Sequence, residues 1–327
     1  MIEIFHGSKI DWLGKRKLFL AISGSVMLLG LISLVYRRGF EYGVDFKGGT
    51  EIKVRFNQKP DIEKIRQDLH DNGADSRLQE SVGTNEVLIE YQGASAENAA
   101  AGRETILGAL SKGFQGQFEI LSATSIGPQV GDDLKRQAVF ATLYALGGML
   151  IYIAFRFEWI YGAAAVFAVF HDTLVTLGLF SIFKEQINLT VIAALLTLVG
   201  YSMNDTIVVF DRIRENLKLR RRDDLQTIMN DSINQTLSRT ILSSGLTFIT
   251  VVALFIFGGE IISYFAFAMV VGILVGTYSS VAIAAPLVLV YTNIRGRSVP
   301  QIAAPPRPAV TKSVAKPVTK TPKPKRA

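Results

Sequence analysis

Apolar residues in this chain gather into long blocks, and the polar residues lie mostly between them. Six blocks stand out: residues 18–36, 138–155, 159–183, 187–210, 240–257 and 261–294. A helix rising 1.5 Å per residue crosses the hydrocarbon core of a bilayer in about 20 residues, so each block is a predicted membrane span. The last one holds Gly272, Gly276 and Pro286 and is expected to kink, tilt or run past the membrane. Between the first two blocks the period changes. Residues 50–56, TEIKVRF, alternate as a half-buried strand. Pro60 then opens the amphipathic stretch DIEKIRQDLHDNG, with Ile62, Ile65 and Leu69 on one face and Asn72-Gly73 as its stop. Runs at 76–81 and 86–91, split by Gly83-Thr84-Asn85, predict a hairpin. Ser95 is a plausible cap for a helix over 96–110, with Asn98 at the capping-box position, and 118–125 reads as a closing strand. The order β-α-β-β-α-β is the split-βαβ, ferredoxin-like arrangement. The predicted fold class is therefore an α-helical membrane protein with six transmembrane helices and a small α+β domain, its core at 49–126.

Composition agrees with the blocks: 49% of residues are hydrophobic and 19% charged, too apolar for an ordinary soluble domain. Charge placement gives the orientation. Lys9, Lys15, Arg16 and Lys17 precede the first span, seven basic residues lie in 211–239, and nine with no acid lie in 295–327. The connections Lys184-Glu185 and Gly258-Gly259-Glu260 are poor in positive charge. The positive-inside rule then predicts cytosolic segments at 1–17, 211–239 and 295–327, with 37–137 on the other side. Arg37-Arg38 follows the first block where a cleavage site would need small residues, so that block is expected to be a retained signal anchor. The Pro- and Lys-rich tail is expected to be disordered, with anionic lipid as its least demanding partner. The outer segment 37–137 carries 13 basic and 16 acidic side chains, which gives no reason to expect nucleic-acid binding.

The candidate chemistry lies inside the spans. Asp205 sits in LTVIAALLTLVGYSMNDTIVVF, where a carboxylate costs about 3 kcal/mol or more. Such an acid is a proton- or ion-relay candidate by default. On a helix, Tyr201 and Ser202 flank its face, and Asn204 is a further candidate for relay or packing support. Burial favours the neutral form of a carboxylate and a nearby cation favours the ionised form; together they bring an acid into the range of proton exchange. The nearest candidate cation is Arg239, which also fits a topology-fixing flank. His171-Asp172 interrupts the third span, and either a relay role or a hydrogen-bonding role between helices fits it. The chain has no cysteine and three histidines, too few and too scattered to suggest a metal site. Gly43, Gly48 and Gly49 join the first span to the α/β domain. The Gly48-Gly49 pair lacks the spacing of a phosphate loop and precedes a strand, so a hinge or a tight backbone approach is expected there.

GVDFKGGT (43–50), His171-Asp172, VGYSMNDTIVVFDRIREN (199–216) and LSRT (237–240) together resemble the SecD/SecF protein-export family, in its SecF form. That family lies within the resistance-nodulation-division (RND) superfamily. The resemblance covers residues 14–295, and the 199–216 stretch is its most specific part. It implies a bacterial inner-membrane factor that uses proton flow to complete protein translocation on the periplasmic side. It implies SecD and the SecYEG channel as partners, with small accessory and insertase membrane proteins and the translocating polypeptide. By motif, the family's intramembrane acid and arginine fall on Asp205 and Arg239. Protons are the coupling ion, and no other cofactor or covalent catalytic site is expected. An RND exporter of small molecules or lipids is the alternative, but such exporters usually carry two six-span halves and larger outer insertions. An intramembrane protease would need a paired Asp, a Ser–His or a zinc set on facing helices; the first block has no ionisable residue and no HExxH occurs.

Overall fold

The computed structural model describes residues 9–81, 84–92, 96–220 and 222–294. Within them, six helical stretches are long and apolar enough to cross a membrane. They are α1 (Arg16–Tyr36), α5 (Pro128–Arg156), α6 (Trp159–Phe183), α7 (Leu189–Leu219), α8 (Leu225–Phe257) and a composite sixth. The sixth joins α9 (Glu260–Ser279), a π-helical turn (Ser280–Ala284) and α10 (Ala285–Ile294). Pro286 has no N–H to give to Ala282, which helps to explain why the regular ladder breaks just before it. Gly272 and Gly276 serve a different end: a Cβ on Gly272 would lie 2.4 Å from a Leu198 methyl, and one on Gly276 3.0 Å from Ser202 Cβ. Both let α9 lie close against α7.

The helices outrun the apolar blocks that announced them. Helix α5 starts at Pro128, and its first turns carry Asp132, Asp133, Lys135 and Arg136. The expected cytosolic connection at 211–239 is helical up to Leu219 and again from Leu225. Polar residues mark where the apolar solvent ends, and nothing obliges a helix to end there. At that end residues 10–13 dock on α8. Asn230 Oδ1 accepts from the backbone N–H of Trp12 and Leu13 at 3.1 and 3.0 Å, and Asn234 Oδ1 accepts from Trp12 Nε1 at 3.1 Å.

Between α1 and α5 lie a short helix α2 (Val44–Lys47), β1 (Gly49–Phe56), α3 (Ile62–Asp71), β2 (Ser76–Glu80), β3 (Glu86–Tyr91), α4 (Ala96–Phe114) and β4 (Phe118–Ile126). The strand order is β2-β3-β1-β4, every neighbouring pair antiparallel. That is the ferredoxin-like sheet the alternating periods predicted. Ile52, Val54, Val87 and Ile89 face α3 and α4 and form its core with Ile65, Leu69, Ile106 and Leu110. Asp61, directly after Pro60, caps α3 through the N–H groups of Glu63 and Lys64. The predicted cap Ser95, Gly83 of the hairpin turn and the tail 295–327 lie outside the described residues.

Helices α1 and α6 cross where Gly30 faces Gly178. A Cβ on Gly30 would sit 2.7 Å from Gly178 Cα, and Ser33 and Ser181 share a 3.0 Å hydroxyl hydrogen bond nearby. Gly30→Leu is expected to force the pair apart and lower stability by about 1–3 kcal/mol. Gly24→Leu, on a face with nothing within 4 Å, is expected to leave the thermal melting point unchanged. Melting of the detergent-solubilised full chain compares the two.

Candidate functional site

Two apolar clusters fill the bundle. One is built around Ala165, Val169, Met203, Phe210, Ile233 and Val288. The other is built around Phe180, Leu195, Leu198, Val251, Met269 and Ile273. On each of α6, α7, α8 and the sixth span, buried polar residues come between the two: Asp172 and Thr176; Ser202, Asp205 and Thr206; Thr240 and Ser244; Ser279 and Ser280. Four helices thus align one polar layer across the middle of the bundle.

Asp205 is 2% exposed. Its Oδ2 accepts from Ser244 Oγ on α8 at 2.7 Å and from Thr277 Oγ1 on α9 at 3.4 Å. Asp172, on α6, is 1% exposed. Its Oδ2 accepts from Ser202 Oγ at 2.5 Å and Ser279 Oγ at 2.8 Å, and its Oδ1 lies 3.0 Å from His171 Nδ1. Hydroxyls can donate or accept as they rotate. Among the described residues, no Lys or Arg forms an ion pair with either acid. Each acid is therefore held by groups that tolerate a change of its protonation state.

The structure redistributes the predicted residues. Ser202 flanks Asp205 in sequence but bonds Asp172. Tyr201 is half-buried beside the second apolar cluster, and Asn204 is exposed on the outside of α7. Arg239 is exposed too, and no ion pair joins it to Asp205 among the described residues. It lies five residues before Ser244, about 7.5 Å along α8. Gln235, Arg239 and Ser243, spaced four apart and all exposed, give α8 a polar outer stripe. Thr197, Gly200 and Asn204 are likewise exposed on α7. Sequence reasoning missed Ser244, Thr277 and Ser279. Small polar residues are common in membrane helices, and only their facing an acid singles these out.

The glycine joint is a close approach. Gly48 (φ +79°) and Gly49 (φ +149°) hold conformations that favour glycine. A Cβ on Gly48 would lie 2.8 Å from Pro128 N, and one on Gly49 2.2 Å from the Tyr91 carbonyl oxygen. The chain thus enters and leaves the outer domain at one point, Gly48 against Pro128. Gly43 has an ordinary φ of −71° and sits over Gln186 and Asn188. Beside it, Asp45 Oδ2 accepts from Leu189 N at the start of α7, at 2.9 Å.

Six spans, a buried acid-bearing layer and a ferredoxin-like domain spliced between the first two spans define a multi-pass membrane protein of the RND type. Residues 106–294 match the family described as protein export membrane protein SecD/SecF, C-terminal, and residues 35–60 match the SecD/SecF GG motif. The chain belongs to the SecD/SecF family of protein export membrane proteins. It is 41% identical to the protein translocase subunit SecF of Koribacter versatilis, over 95% of this chain and 98% of that protein. It is 45% identical to the SecF of Calditerrivibrio nitroreducens, over 90% and 98%. The crystal structure of SecDF, a translocon-associated membrane protein from a Thermus species, superposes with a TM-score of 0.74 at 36% identity. That match covers 88% of this chain and 39% of the longer SecDF chain.

Proposed function

We infer that this chain is an auxiliary subunit of the Sec protein translocase that couples proton flow to export. It acts with SecD beside the SecYEG channel, in the bacterial inner membrane, with both termini in the cytosol. Its outer domain is periplasmic and engages the emerging polypeptide. The observation that carries the reading is Asp205, a buried carboxylate within a membrane span that accepts from the hydroxyls of Ser244 and Thr277, with the charge of Arg239 acting on it through space. Protons entering the polar layer exchange there, and the hydroxyls of Ser244 and Thr277 follow the change of charge by rotating. Asp172, with Ser202 and Ser279, is the adjoining station or the support that keeps α6, α7 and α9 in register around it. Helix shifts reach the outer domain through the Gly48–Pro128 point and through Asp45 on the start of α7.

The exposed polar stripe on α8 supports a membrane partner. A guanidinium facing lipid within a span is costly, a cost removed when the polar faces of α7 and α8 meet SecD helices. Arg239 then works at the shared interface. Arg239→Lys is expected to retain partial gradient-stimulated export, because Lys keeps the charge and loses the planar fork. Arg239→Met is expected to lose most of it. If Met performs like the native residue in an inverted-vesicle export assay, Arg239 is a topology signal only. Mild-detergent purification checks the partner: SecD and SecYEG should come with the chain, whereas a SecD-free homotrimer would favour an exporter.

A further inference from the structure

One row of the outer sheet is left with uncompensated charge. Arg77 on β2, Glu90 on β3, Glu51 on β1 and Thr124 on β4 are directly opposite one another across the four strands. They lie on the face away from the domain core. Two residues along β1 the charges are matched: Lys53 and Arg55 reach Glu86 at 2.7 and 2.6 Å and hold its carboxyl below the ordinary range. On the Glu51 row they are not. Directly opposed side chains have Cβ atoms about 4.5–5.5 Å apart, where like charges destabilise a sheet. The cation of that row is engaged elsewhere: Arg77 donates to Glu41 Oε2 at 3.1 Å and to the Lys184 carbonyl at 3.2 Å.

This row is the seat of the domain on the bundle. Gln186, in the loop between α6 and α7, donates to Glu90. Gln79 bonds the Tyr264 hydroxyl of α9, and the N–H of Gly43 donates to Ile187 O at 3.0 Å. Glu90 and Gln186 are 4% and 3% exposed. Glu90 Oε2 and Gln186 Oε1 are both buried without a partner among the described residues. Both orphans are acceptors, and a proton on Glu90 turns one of them into a donor.

We propose that Glu51 and Glu90 form a second proton-binding site, sharing one proton at the seat of the outer domain, and that loss of this proton to outside water lets the domain lift from the loop between α6 and α7. The other groups at the seat agree with this. Burial, then Glu90 and Asp45, push the Glu51 carboxyl up to about 7. Burial also pushes Glu90 up, against Gln186 and Arg77, with Asp45 adding to the rise. Glu185 in the same loop is pushed up by burial against Arg77. An acid raised in the seated state favours seating while it is protonated. That advantage is fully present below its ordinary value of 4.5 and lost as pH rises through about 7. Lifting the domain returns both carboxylates to water, where salt screens their repulsion.

The chain has no cysteine, so spin labels can be placed at Ser111→Cys on the domain and Phe257→Cys at the end of α8, both exposed. The full chain alone, in lipid nanodiscs, is then read by pulsed electron resonance from pH 4.5 to 8.5. The seated distance should dominate at low pH, and the ratio of seated to lifted molecules should fall by up to about tenfold per pH unit on the way to pH 7. Glu51→Gln or Glu90→Gln should weaken the pH dependence and extend the seated distance to higher pH, with burial still acting on the acid that remains. Thr124→Lys, which places a cation opposite Glu51 on an exposed strand, should flatten the titration without removing either acid. A distance that ignores pH in the labelled parent overturns the proposal, as does a parental titration surviving in these variants. The site does not depend on the proton-pathway reading of Asp205. The measurement uses no gradient, client or SecD, so its failure would leave that reading standing.

Discussion

Asp205→Asn is expected to lower proton-gradient-stimulated export by at least about a hundredfold, the scale on which losing a positioned proton carrier is felt. The chain should still insert and still bring SecD with it. Asparagine has nearly the same shape, and its amide oxygen can keep the hydrogen bond that Ser244 donates at 2.7 Å. What it cannot do is release and regain a proton. Ser244→Ala should cost less, because Thr277 still reaches the carboxylate. The measurement is export into inverted vesicles with and without an imposed gradient, alongside quantitation of the inserted chain. Wild-type stimulation with Asn at 205 would remove the relay role. Loss of insertion would show that Asp205 is needed for the fold.

Gly49→Val should be the most damaging single change in the outer domain. Its φ of +149° is strained for any residue with a Cβ, costing about 1–3 kcal/mol. The added Cβ would also meet the Tyr91 carbonyl oxygen at 2.2 Å, just where β1 begins to pair with β3 through Thr50 and Tyr91. The clash cannot be relieved by a side-chain rotation, since the opposing atom is backbone. Gly73→Ala separates the two costs, because Gly73 has φ +78° and open space around it. Limited proteolysis of the full chain should rank Gly49→Val well above Gly73→Ala. Gly147→Ala in α5, with nothing within 4 Å, should match the parent. If the Val variant resists protease as the parent does, Gly48-Gly49 is a pliant hinge, and the tight approach seen here is one of several states.

Much of this was written in local pattern. The six apolar blocks fix six spans because no shorter or more polar segment can satisfy a bilayer. Two alternating periods between Thr50 and Ile126 fix the order of strands and helices, and with it the ferredoxin-like sheet. Asp205 declares itself for the same reason, since one carboxylate among apolar residues has no cheap explanation. Helix ends were less legible. Pro128, Leu219 and Leu225 bound helices whose outer turns are polar, and hydropathy records the solvent around a helix more faithfully than its termini.

The partners of the acids required the tertiary structure. Ser202 is three residues from Asp205 and belongs to Asp172. Ser244, Thr277 and Ser279 come from helices far off in sequence, and a hydroxyl carries no local signal of what it will face. Arg239 is exposed and makes no ion pair with Asp205 among the described residues, although its charge acts on the acid through space, because α8 turns Ser244 rather than Arg239 onto the carboxylate. The Glu51–Glu90 row could not be read from either strand alone, since each glutamate looks like an ordinary solvated position until the register sets them opposite each other and the bundle covers them. The sequence by itself therefore determined the elements, their order and which acids within the spans stand out as candidates. Which groups touch them, and which carboxylates lose their water, was decided only by how distant segments fold together.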